Sequence, residues 1–156
     1  MSKSSFFELN DALCVSLYRA HRLMNSAYRK HLEPLKLTYT QFLVMICLWN
    51  NDKQTIKELG YNLHLNSGTL TPLVKRLMAL DYIAKDRCQQ DERVVYISLT
   101  PLGKKLKQKS ESIPKDMFEE LKLSFDEFVE IRTGVQQVVE NLSSAMDTIT
   151  AKGALS

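Results

Sequence analysis

TIKELGYNLHLNSGTLTPLVKRLMALDY, residues 55–82, is the stretch on which the fold turns. Two short helical patterns lie either side of a tight turn. The first spans roughly Ile56 to Leu63. Asn66 and Ser67 then offer side-chain oxygens that accept from the free N–H groups opening a second helix. Leu70, Leu73, Val74 and Leu77 give that second helix one apolar face. Pro72 is the one discord. It falls just past the first turn, where its missing N–H forfeits a backbone bond.

The spacing changes immediately downstream. YIAKDR (82–87) and RVVYISL (93–99) are rich in β-branched and aromatic residues, with CQQDE (88–92) between them. A two-stranded hairpin with a polar tip is expected. Two short helices followed by a hairpin make a winged helix-turn-helix. After it, Thr100 caps a further helix with Pro101 at its first position.

Upstream, Leu9, Leu13, Leu17, Ala20, Met24 and Ala27 recur three and four apart, which predicts an amphipathic helix from about Phe6 to His31. Glu33-Pro34 ends it. Thr38 is the expected N-cap of a mostly buried helix through Trp49, followed by the polar break NNDKQ (50–54). At the other end, Phe128, Ile131, Val135, Val138, Leu142, Ala145 and Ile149 form a coiled-coil-like seam on a helix from about Ser124 to Thr150. A core this small cannot cover both flanking stripes, and a homodimer would bury them. The expected fold is therefore mainly α with a small β-hairpin. Residues 36–109 form the winged helix-turn-helix, and residues 1–35 and 110–156 form a helical dimerisation region intertwined with it.

The chain has 156 residues, 44% of them hydrophobic and 25% charged, the make-up of one globular domain with helical extensions. Its longest apolar run, FLVMICLW (42–49), is too short to span a bilayer. The opening residues lack the sustained apolar core of a secretory signal. A cytoplasmic location, where thiols stay reduced, is the expectation. Three cysteines, at 14, 47 and 88, give neither a disulfide framework nor a zinc site, and His21, His31 and His64 share no metal-ligand spacing. No cofactor is expected. No phosphate loop, Ser-His-Asp set or carboxylate pair points to an enzyme.

The polar side of the second helix of the pair carries Ser67, Thr69, Thr71, Lys75 and Arg76. In a helix-turn-helix this element enters the major groove of DNA. The hairpin adds Lys85, Arg87 and Arg93, and an arginine on a thin ribbon suits the narrow minor groove. Asp91 is positioned to steer Arg93. The net charge of +3 is mild and names no partner by itself.

SGTLTPLVKRL (67–77) and DERVVYISLTPLGKKL (91–106) resemble the recognition helix and wing of the MarR family of dimeric bacterial repressors. LCVSLYRAHRLMNSAYRKHLEPLKLTYTQFLVMICLW (13–49) resembles, within that family, the organic hydroperoxide resistance regulators, with one cysteine and three tyrosines at matching intervals. The resemblance implies that double-stranded operator DNA is held while Cys14 is reduced and released on its oxidation by an organic hydroperoxide. It also implies that Tyr28 and Tyr39 reach the sulfur across a dimer interface, beside Tyr18, which lies one turn from Cys14 on its own helix. The thiolate is the form that attacks peroxide, and phenol O–H groups donating to sulfur favour it. The chain has no cysteine after residue 88 to resolve the oxidised sulfur. A mixed disulfide with a small-molecule thiol, or over-oxidation, is then the expected end state. Cys47 is expected in the core and Cys88 near the exposed wing tip. The chain departs from the family pattern at Arg19 and His21, at Thr40 and Phe42 in a segment that usually reads TYPQY, and at Asn66, which replaces an aspartate. These departures bear on peroxide preference.

Two other readings use the same residues. In one, the repressor responds to a small phenolic or aromatic acid and Cys14 is incidental. In the other, Cys14 serves a thiol peroxidase, which leaves the winged-helix elements without a purpose.

Overall fold

A computed structural model of the chain describes residues 9, 12–87 and 94–153, with side chains described as far as residue 146. It divides into two compact units, residues 1–117 and 118–156.

Helix α1 runs Leu13–Leu32 and passes into a single 3-10 turn, Glu33–Leu35, that carries Pro34. Lys36 then takes a left-handed conformation and reverses the chain. Helix α2, Tyr39–Asn50, opens with a capping box. The Gln41 amide donates to the Thr38 hydroxyl at 3.3 Å, and the Thr38 amide donates to Gln41 Oε1 at 2.9 Å. Its apolar residues Phe42, Val44, Met45 and Leu48 are buried on more than one side of the helix, so α2 is the central element of the first unit.

Helix α3, Ile56–Leu63, opens with a second box between Thr55 and Glu58. The Thr55 amide and the Thr55 hydroxyl both donate to the Glu58 carboxylate, and these bonds hold its pKa below the ordinary value. His64 closes the helix in the left-handed region. Helix α4, Ser67–Ala79, is capped by Asn66 Oδ1, which accepts from the Thr69 amide at 2.9 Å. Leu70, Val74 and Leu77 are buried, and Leu73 is half-buried at the margin of that face. Pro72 sits inside α4 without ending it.

The hairpin is present, as strands β2 (Ile83–Arg87) and β3 (Val95–Leu99). A third strand joins it. Residues Gln54–Thr55, within and just after the polar break, form β1 and pair with β3 in the order β1-β3-β2, all antiparallel. Alternation cannot reveal a two-residue strand. What holds it is Gln54, buried despite its polarity because its amide is fully used. Its Nε2 donates to the Cys47 and Asn51 carbonyls, and its Oε1 accepts from Asn62 Nδ2 at 2.8 Å.

Helix α5, Pro101–Ser110, is capped by the Thr100 hydroxyl, which accepts from the Gly103 amide at 3.0 Å. Helix α6, Ile113–Leu121, follows, and α7 spans Phe125–Gly153. Within the second unit Phe118 and Phe128 meet edge to face at 5.2 Å. The seam positions Ile131, Val135 and Leu142 are exposed, and so are Leu13 and Leu23 on α1. Ile149 belongs to the seam but its side chain lies outside the described residues.

Gly103 is the tightest point of the first unit. A Cβ there would stand inside the van der Waals radius of the Tyr82 carbonyl oxygen. Gly103→Ala is expected to destabilise the fold by about 2–3 kcal/mol, the usual range for overpacking a site that cannot relax. Thermal unfolding checks this: a melting temperature within about a degree of the parent's would mean that α5 is free to shift.

Candidate nucleic-acid interface and redox site

The exposed side of α4 carries every residue expected there: Ser67, Thr69, Thr71, Lys75 and Arg76. Lys75 and Arg76 are unpaired among the described residues. Both threonine hydroxyls are committed locally. Thr69 Oγ1 donates to Asn66 Oδ1 at 3.1 Å, and Thr71 Oγ1 donates to the Ser67 carbonyl at 2.7 Å. Each hydroxyl has one proton. In this state both present an acceptor oxygen and a methyl group to the outside, while the donors on this face are the two cations and the Ser67 hydroxyl. Asn66, in place of an acid, still caps the helix but adds no negative charge beside it.

Lys85 and Arg87 are exposed on β2, two residues apart and so on one face of the strand. Asp86, between them, accepts the Ser98 hydroxyl at 2.6 Å. Asp91 and Arg93, together with Cys88, lie outside the described residues.

The root of the hairpin is held by residues whose role the sequence did not reveal. Asp52 Oδ1 accepts from the Leu99 amide at 2.8 Å, and its other oxygen faces Lys104 Nζ at 3.4 Å. The Tyr82 hydroxyl donates to the Leu35 carbonyl at 3.0 Å. Trp49 Nε1 donates to the Gly103 carbonyl at 2.9 Å. Asp52 looks like loop polarity in the sequence, and Trp49 like the end of an apolar run.

Cys14 is exposed near the start of α1. It lines an open, largely apolar surface pocket of about 370 Å³ with Leu9, Val15, Tyr18 and Arg19. Tyr18 is 63% exposed, and the Arg22 guanidinium stands 6.0 Å from its ring centre. Tyr28 and Tyr39 are elsewhere. They stack on each other with ring centres 4.9 Å apart, where α1 crosses α2. Burial, and for Tyr28 also the neighbouring Tyr39, raises the pKa of both phenols, so at neutral pH both keep their protons and serve as donors. Tyr28 is fourteen residues beyond Cys14, about 21 Å along a helix that rises about 1.5 Å per residue. Within one chain, among the described residues, none of the three phenols hydrogen-bonds the sulfur. Cys47 is a partial departure from expectation. It packs against the core but is only half-buried, and that burial raises its thiol pKa.

A helix-turn-helix followed by a hairpin, with cations on the second helix and on the wing, defines a winged-helix regulatory domain. The family model "Transcriptional regulator SarA/Rot" matches residues 26–111. The chain belongs to the MarR/SarA-type family of transcriptional regulators, in the group of the organic hydroperoxide resistance regulators. It is 36% identical to the organic hydroperoxide resistance transcriptional regulator of Bacillus subtilis, across 90% of this chain and 96% of that one. Among solved structures it is similar to AbfR of Staphylococcus epidermidis. Reduced AbfR bound to DNA aligns with a TM-score of 0.75 at 31% identity, over 90% of this chain and 99% of that one. Overoxidised AbfR bound to DNA aligns at 0.74 and 32%, over 90% and 98%. Disulfide-formed AbfR aligns at 0.61 and 34%, over 81% and 96%. No described helix is long and apolar enough to cross a membrane.

Two measurements probe the site as described. At neutral pH an alkylating reagent should label exposed Cys14 well before Cys47, by roughly tenfold or more given the burial and raised pKa of Cys47. Peptide mass mapping over time checks this, and equal rates would contradict the placement of Cys47. The tyrosine shifts also fix a pH dependence. Phenols with folded pKa values above the unfolded value of about 10 favour the folded state below pH 10 and lose that contribution as pH rises through the folded values. Stability measured by urea denaturation should thus fall as pH rises above about 10, and less steeply for Tyr28→Phe.

Proposed function

We propose that the protein is a homodimeric repressor that grips operator DNA while Cys14 is reduced and releases it when an organic hydroperoxide oxidises that sulfur. The observation that carries this reading is the separation of the redox parts within one chain. An exposed cysteine in an apolar pocket stands near one end of α1, and a stacked, protonated tyrosine pair stands near the other. Two copies of α1 running antiparallel would bring each cysteine to the other chain's Tyr28 and Tyr39, with Tyr18 closing the site from its own helix. The exposed apolar residues of α1 and α7 supply surface for such a dimer.

The chemistry follows from those parts. The Cys14 thiolate attacks the distal peroxide oxygen. An S–O bond forms, the O–O bond breaks, and the alcohol leaves with a proton. The sulfur is oxidised by two electrons to sulfenic acid. A small-molecule thiol then attacks that sulfur, an S–S bond forms, and water leaves. No cysteine of this chain follows residue 88, so the second thiol comes from solution. Overoxidised AbfR is bound to DNA, which supports a bulky adduct, rather than added oxygen alone, as the releasing species. The adduct does not fit a packed subunit interface, so the two reading heads change orientation.

On the DNA side, the exposed face of α4 enters the major groove. Lys75 and Arg76, with Ser67, hold phosphates or guanines, while Thr69 and Thr71 offer acceptors and methyl groups to base edges. Lys85 and Arg87 take the wing to the neighbouring minor groove, together with Asp91 and Arg93, which lie outside the described residues.

The decisive test is a gel shift on duplex DNA enriched from a random library by the reduced protein. Cumene hydroperoxide with a small thiol should release the wild type. Cys14→Ser should bind with affinity within about threefold of wild type and stay bound. Release of the serine variant would overturn the sensor assignment. An apolar cavity of about 270 Å³ lined by Phe42, Ile46 and Trp49 favours one second reading, a repressor that answers a small aromatic acid. Salicylate releasing Cys14→Ser as readily as wild type would establish it.

A further inference from the structure

The sensor tyrosines and the wing root are joined by an unbroken line of rings. Tyr39 stacks on Tyr28 at 4.9 Å, Tyr28 meets Phe42 at 5.9 Å, and Phe42 meets the edge of Trp49 at 5.8 Å with planes 72° apart. Phe42 is 1% exposed, so it moves only if its neighbours do. At the far end, Trp49 Nε1 donates to the Gly103 carbonyl at 2.9 Å, and Lys107 Nζ donates to the Trp49 carbonyl at 3.3 Å.

Gly103 is where motion would be felt. It is pressed against the Tyr82 carbonyl so closely that no side chain fits. That same carbonyl accepts from the Thr100 amide at 3.1 Å, and the Thr100 hydroxyl donates to the Asp81 carbonyl at 2.6 Å. Tyr82 leads into β2, and Thr100 follows β3. Both strands of the wing therefore start from a knot that Trp49 holds from the α2 side. The cavity of about 270 Å³ opens beside Phe42 and Trp49. This space gives the two rings somewhere to turn. A line of packed side chains transmits a signal only if one member has two discrete arrangements.

We infer that Trp49 is a positioning residue that couples the Tyr28–Tyr39 pair to the wing: displacement of the tyrosines turns Phe42 and Trp49 toward the cavity and loosens the hold on Gly103. This rests on the redox reading above and adds the route by which the sensor reaches the DNA-binding elements.

Trp49 is the chain's single tryptophan, so its emission reports on the joint directly. With full-length protein and the library-enriched duplex, two measurements are made before and after cumene hydroperoxide plus a small thiol. The first is Trp49 emission in wild type, with Cys14→Ser as control. A change in wild type and none in the control is expected. The second is the ratio of oxidised to reduced dissociation constants for wild type and Trp49→Phe, which keeps a ring against Phe42 but removes the Nε1 donor. A merely structural role would weaken both constants together. The coupling role predicts a ratio at least tenfold smaller, with reduced-state binding within about threefold of wild type. Unchanged emission in a wild type that does release DNA, or an unchanged ratio in Trp49→Phe, overturns the inference and leaves the sensor reading intact. A wild type that never releases DNA overturns both. Should Trp49→Phe fail to fold, the emission experiment decides alone.

Discussion

The contact of Gly103 with the Tyr82 carbonyl is the constraint on which the DNA-binding half of the molecule depends. It fixes where α5 leaves the sheet. Around it converge Thr100, which caps α5 while bonding back to Asp81, and Asp52, which holds Leu99 from the loop after α2. A wing is a two-stranded ribbon of marginal stability by itself. It points in a defined direction only because its root is tied to helices on both sides. The third strand, β1, serves the same end by giving β3 a partner on each side.

The same economy governs α4. The fold holds its inner face with Leu70, Val74 and Leu77 and secures its start with Asn66. The outer face is then free to carry polar and charged groups that packing does not require. Lys75 and Arg76 stand exposed, with no ion pair among the described residues. The threonine hydroxyls are committed locally, Thr69 to the Asn66 side chain and Thr71 to the Ser67 carbonyl, which restrains their rotation.

The proposed redox site differs, because one chain alone does not bring its parts together. Cys14 and Tyr28 share a helix but are separated by about 21 Å along it. A site split in this way by a rigid rod responds to the relation between two copies. In the proposed dimer, an adduct on the sulfur is an event at the boundary between subunits, where packing is least able to absorb it without a change in geometry.

Much of this was legible in the sequence by itself. Local caps mark several helix starts within a few residues, at Thr38, Asn66 and Thr100 with Pro101. By contrast, α1 as described begins at Leu13, the expected start near Phe6 lying outside the described residues, and α6 has no counterpart in the sequence reading. The exposed face of α4 was legible too, because period 3.6 separates a buried face from an exposed one. What tertiary structure decided lies between residues far apart in the chain. Trp49 and Gly103 are separated by 54 positions, and Tyr82 and Leu35 by 47. No local pattern encodes such a pairing, since it depends on how helices and strands pack after they form. For the same reason β1 was missed, Cys47 was placed deeper in the core than it lies, and Asp52 passed for loop polarity. Local chemistry set the elements and their faces, and packing set which of them are tied together.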